Sequence, residues 1–129
     1  MTDSVPIKSA REQLLDGPMR AIALTVPHDV MVRISEYGEL KGFGPKIRLL
    51  CYGFIMAEKD FGSTWQIDEV VSHAKSTDDR GRMVRTSVKM PDGMCEEIER
   101  ICEGVGVSVS AFIRSVACLS SRFLEDGNV

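Results

Sequence analysis

The chain has 129 residues, 43% of them hydrophobic and 27% charged, enough for one compact domain or for two very small units that share a core. No apolar run approaches the roughly 20 residues that span a bilayer, and the polar start "MTDSVPIKSAREQLLDG" lacks a signal-peptide core, so a soluble cytoplasmic chain with no membrane partner is expected. A net charge of −3 counts mildly against nucleic acid, and four cysteines without a CxxC pair, beside two distant histidines, argue against zinc; no metal or other cofactor is expected.

In chain order, residues 1–18 read as an N-terminal arm. "MRAIALTVP" (19–27) then alternates, with Ile22, Leu24 and Val26 on one side and Ala21, Ala23 and Thr25 on the other, the period of a half-buried strand. Pro27 ends it, and proline suits the first turn of a following helix. That helix carries Val30 and Ile34 on one face, "GFGPK" makes a turn, and a second helix closes the unit at residue 57. Residues 58–82 read as a linker, within which "TWQIDEVVSHA" has enough apolar content for a small element, helix and strand both remaining open.

"MVRTSVKMP" (83–91) alternates again: Thr86, Val88 and Met90 point to a core, and Arg85, Ser87 and Lys89 line the opposite face. After Pro91, Met94, Ile98, Ile101 and Cys102 recur at helical spacing, and Gly104 and Gly106 are expected to stop that helix. Ser108 is placed to cap the last helix, whose Phe112, Ile113, Val116 and Leu119 form a buried stripe. The unit ends at residue 124, leaving 125–129 as a tail. Cys95 and Cys102 share a helical face, and all four cysteines are expected to be reduced core residues.

The two stretches are copies of one pattern. A shift of 64 residues sets Pro27 on Pro91, Val30 on Met94, Ile34 on Ile98, Gly42 on Gly106 and Leu49 on Ile113 without a gap. One strand with two short helices cannot bury its own apolar faces. Two such units face to face pair their strands antiparallel and interlock their helices, giving a mainly α fold with one two-stranded antiparallel β-ribbon and pseudo-twofold symmetry. The folded unit is then expected to be a monomer.

This order of alternating strand, proline, amphipathic helix and "GVSVSAFIRSVA" resembles the ribbon-helix-helix family of DNA-binding proteins, the fold of the Arc repressor, in which Gly106, Ser108, Ser110, Ile113 and Arg114 match the family pattern. The resemblance covers 19–57 and 83–124 and is weaker in the first copy, where Gly44, Pro45 and Leu50 replace Ser108, Val109 and Arg114. It extends to tandem, single-chain accessory proteins of plasmid conjugation and T-DNA transfer, which implies double-stranded DNA as partner and a relaxase or other transfer protein beside it.

In that family the strand residues two, four and six places before the proline face the bases. Carried over, Lys89, Ser87 and Arg85 read from the second strand, and Thr25, Ala23 and Ala21 from the first. With only methyl groups on Ala21 and Ala23, the first strand departs from the family, and an asymmetric target site is expected. Phosphates are expected at the second-helix N-termini, on Ser108 and Ser110 in one copy and Gly44 and Lys46 in the other, with Arg20, Arg80 and Arg82 at the ribbon ends. From Arg80 to Pro91 there are four basic residues and no acid, whereas acids gather in "CEEIERICE" and "LEDGNV". No nucleophile motif or phosphate-cradling loop is present, so no enzymatic activity is expected. Three roles stay open on sequence: a transfer accessory factor, a transcriptional repressor with the same ribbon, and a protein-interaction scaffold.

Overall fold

The computed structural model describes residues 15–36, 42–61, 65–75 and 82–127. Strands β1 (Met19–Pro27) and β2 (Met83–Pro91) form one antiparallel two-stranded sheet. Among the described residues there are five helices: α1 (His28–Glu36), α2 (Phe43–Phe61), α3 (Trp65–Lys75), α4 (Asp92–Val105) and α5 (Val109–Gly127). The fold is mainly helical with a single β-ribbon, as the alternation and the helical spacing predict.

Ala23 stands opposite Ser87 at the middle of the ribbon, Ala21 opposite Lys89 and Thr25 opposite Arg85. Each strand ends at a proline, which has no N–H to donate, and the ladder continues through the next residue. The His28 N–H donates to the Arg82 carbonyl at 2.8 Å, and the Asp92 N–H donates to the Pro18 carbonyl at 3.0 Å. These bonds are each other's counterparts under the 64-residue shift, and each satisfies a first-turn N–H that a helix leaves unpaired.

The inner face of the ribbon buries Leu24, Val26, Val88 and Met90 against Ile34, Met94, Ile98, Phe112 and Ile113. Full burial of an aliphatic or aromatic side chain stabilises a fold by about 1.5–3 kcal/mol. The packing is crossed: α5, from the second unit, lies on β1, and α2, from the first, lies on β2. Neither half therefore keeps its core without the other.

Gly42 and Gly106, counterparts under the 64-residue shift, both hold positive φ, 95° and 75°, the left-handed conformation that glycine adopts without a Cβ clash. Gly104, by contrast, lies inside α4 and does not stop it. The stop is at Gly106, whose N–H donates to the Cys102 carbonyl at 2.8 Å while Val107 donates to the same oxygen at 3.2 Å.

Beyond Gly42 the ungapped repeat fails. α2 starts at Phe43, two residues earlier in the repeat than α5, and turns Phe43, Ile47, Cys51 and Ile55 inward. Leu49 is consequently 60% exposed, although its repeat partner Ile113 is fully buried. Each residue turns a helix by about 100°, so a small slip in start position re-aims the whole face.

α2 also runs past residue 57, and the short element after it is a helix. α3 places Ile67 and Val70 in the core and packs chiefly on α5, where His73 Nδ1 lies 2.9 Å from the Ser115 hydroxyl. Cys51, Cys95, Cys102 and Cys118 are free and buried, and burial raises every thiol, that of Cys102 to about 11. Among the described residues no single helix is long and apolar enough to cross a membrane.

Candidate nucleic-acid interface

The alternation that buries one face of the ribbon leaves the six side chains read as base contacts on the other. Ala21, Ala23, Arg85, Ser87 and Lys89 are exposed and Thr25 is half-buried. The face is lopsided, because β2 carries both cations and the serine whereas β1 carries methyl groups and one hydroxyl. Met19, also exposed and of the same parity, extends the apolar half. Arg85 and Lys89 are four residues apart, which places their Cα atoms about 13 Å apart along the strand. Neither side chain has a hydrogen-bond or ion-pair partner among the described residues.

The ribbon is braced from its helical side. The Ser110 hydroxyl donates to the Ala23 carbonyl at 2.8 Å, tying the start of α5 to the middle of β1. Arg48, on α2, donates through Nη1 to the Lys89 carbonyl at 3.2 Å. The N-termini of both second helices are thus moored to the strand of the opposite unit.

The side chains read as phosphate contacts are distributed differently. The Ser108 hydroxyl accepts from the Ala111 N–H at 3.1 Å, the N-cap that its position implies. Ser108 remains exposed at the end of α5, whereas the hydroxyl hydrogen of Ser110 is directed into the fold. Gly44 is half-buried in the first turn of α2, with open room up to Val88 Cγ1 at 3.9 Å from where a Cβ would stand. Arg82 is exposed at the ribbon end, its carbonyl engaged by His28. Arg80 lies outside the described residues.

Two of the expected contacts do not reach the outer face. Lys46 is buried, and its ammonium donates to the Ser35 carbonyl at 2.7 Å, where it caps the C-terminal end of α1 and complements that helix's dipole. Arg20 has the parity of Leu24 and Val26 and so points to the helical side. There Nε donates to Asp92 Oδ1 at 2.6 Å, with Glu99 Oε1 3.5 Å from Nη1. The Asp92 hydrogen bond raises the Arg20 pKa further, so this guanidinium is already neutralised by acid.

Arg48 is a cation beside the ribbon that the repeat conceals. The 64-residue shift sets it on the buried Phe112, so it reads as a core position. The phase of Ile47, Cys51 and Ile55 along α2 is the signal that places it at the edge instead.

Charge is segregated around this site. Glu96, Glu99 and Glu103 are exposed on α4, and Lys59, Glu97, Arg100 and Glu58 pair with one another between α2 and α4. Among the described residues the exposed acids of α4 thus lie on the helical layer, and the two charged side chains of the outer ribbon face, Arg85 and Lys89, are both positive.

The fold and the site together define a mainly helical domain that presents an exposed, one-sidedly cationic two-stranded ribbon. Comparison with protein-family models, with curated proteins and with solved structures finds no match.

Proposed function

We propose that this chain is a single-chain ribbon-helix-helix protein that binds double-stranded DNA by laying β1 and β2 in the major groove. The observation that carries the reading is the pair Arg85 and Lys89, exposed on the outer ribbon face without a counter-charge among the described residues of an otherwise acidic chain. The crossed packing of α2 on β2 and α5 on β1 supports it, being what two interlocked strand-helix-helix units require.

The major groove, about 12 Å wide, admits a two-stranded ribbon. Arg85 donates two parallel hydrogen bonds to guanine O6 and N7, Lys89 reaches a guanine or a phosphate about four base-pair steps away, and Ser87 donates or accepts between them. Ala21, Ala23 and Met19 offer methyl groups to thymine C5-methyls, so the bound site is asymmetric. Phosphates fall to the exposed start of α5 at Ser108 and to Arg82 at the ribbon margin. For the cellular role, the sequence resemblance favours an accessory factor that marks an origin-like or border-like site for conjugative or T-DNA-type transfer.

Fluorescence anisotropy on duplex DNA across a salt series tests the reading. Wild type binds with an affinity that falls steeply as salt rises, and Arg85→Ala with Lys89→Ala loses affinity and sequence preference. Absence of binding at low salt, or an unchanged double variant, rejects the ribbon as the reading head.

A further inference from the structure

We infer that the outward face of α2 is an interface with a second copy of this chain, the two α2 helices packing antiparallel with Gly53 near the crossing point. The inference stands apart from DNA binding and uses a different surface. The inner face of α2 carries Phe43, Ile47, Cys51 and Ile55. Opposite it, where a helix at a protein surface carries charge, stand the exposed Leu49 and Gly53, with Met56, half-buried and partly packed on the core, continuing the same helical spacing. Leu49 is the most exposed large hydrophobic residue among those described, at 60%. Gly53 is exposed, and a Cβ built on it meets nothing within 4 Å. The repeat partners of Leu49 and Gly53, Ile113 and Ala117, are fully buried, so apolar character at these positions accompanies coverage in the other half. α3 packs chiefly on α5 and only slightly on α2.

The stripe is complementary to itself, which is what selects a second copy as its occupant. Arg48 flanks its N-terminal end, and Asp60, exposed, closes its C-terminal end. A twofold axis perpendicular to α2 near residue 54 sets Arg48 against Asp60 of the second copy and Asp60 against its Arg48. The same axis brings Met56 onto Tyr52 of the other copy, a sulfur–aromatic contact, and the missing side chain of Gly53 lets the helix backbones approach. Arg48 has five N–H donors and commits one to the Lys89 carbonyl, leaving the others for a carboxylate.

Sedimentation equilibrium without DNA tests this on the full chain, comparing wild type with Gly53→Glu, Arg48→Asp, Asp60→Arg and the charge-exchanged double variant. Wild type is expected at twice the 14.3 kDa chain mass, and Gly53→Glu to associate at least about tenfold more weakly. Each single charge reversal weakens the dimer, and the double exchange restores it. Far-UV circular dichroism and thermal midpoints verify folding; Gly53→Glu projects into open space and decides the question alone should Arg48→Asp unfold. A wild type that stays monomeric, whether or not another protein docks there, overturns the proposal. So does a Gly53→Glu variant that dimerises as wild type does, or a well-folded double exchange that fails to restore association.

Discussion

The Ser110 hydroxyl donates to the Ala23 carbonyl across 2.8 Å, joining the second unit's last helix to the first unit's strand. Ala23 lies opposite Ser87, so this bond holds the centre of the ribbon at a fixed height above α5. We predict that Ser110→Ala costs about 0.5–1.5 kcal/mol in urea denaturation, the net worth of one hydrogen bond. If Ser110 braces the strand rather than contacting phosphate, the salt slope of DNA binding stays unchanged; a slope reduced by about one would return it to the phosphate set.

Arg85 and Lys89 separate by the kind of contact each makes. Arg85→Ala should cost about 1–3 kcal/mol on the preferred duplex and little on a scrambled one, because a bidentate contact to guanine discriminates bases. Arg20→Ala, whose charge is already held by Asp92 and Glu99, should leave the salt slope unaltered. Competition anisotropy with the two duplexes, repeated across a salt series, checks both expectations.

The apolar half of the outer face predicts a dependence on thymine methyl groups. Replacing thymine by uracil in the part of the site under β1 removes the C5-methyl and leaves base pairing intact. Each lost contact should weaken binding by about 0.8 kcal/mol, roughly fourfold. The same replacement under β2 should change nothing, since the residues there recognise polar base edges.

Acid stability should depend on Glu97. Burial alone would raise its pKa, but hydrogen bonds from Lys59 at 2.6 Å and Arg100 at 2.7 Å hold it below its ordinary 4.5. A depressed carboxylate stabilises the fold above its unfolded pKa, and that contribution disappears as pH falls through the folded value. Wild type should therefore lose on the order of 1 kcal/mol or less on acidification below about pH 4.5, because the ion pairs are only partly buried and solvent screens them. Urea midpoints between pH 3 and 6 should show this component in wild type and not in Glu97→Gln.

The buried thiols should resist alkylation. Burial raises all four, so the reactive thiolate is scarce at neutral pH, and access is closed by the core. Mass spectrometry after iodoacetamide should find the native chain unmodified and the urea-unfolded chain modified at Cys51, Cys95, Cys102 and Cys118.

Local spacing carried most of the architecture. Alternation places Leu24, Val26, Val88 and Met90 inward, prolines mark the strand ends, and Gly42 and Gly106 mark the turns, because each obeys a rule that spans only a few residues. Ser108 as a helix cap was legible for the same reason. The outer-face set of Arg85, Ser87 and Lys89 follows directly from that alternation.

What spacing could not convey were contacts between residues far apart in the chain. Arg20 meets Asp92 across 72 positions, Lys46 meets the backbone of Ser35 after the chain has turned, and Arg48 reaches the Lys89 carbonyl from another unit. The linker's helix acquires its type by packing Ile67 and Val70 against the core. The slip of α2 against the repeat is set by where the turn at Gly42 releases the chain, and it leaves Leu49 in solvent. Which face of each strand is apolar, and where the elements turn, follows from local spacing alone. Which of the described cations stay unpaired is settled by the packed chain, because neutralisation depends on distances in space that no local period encodes.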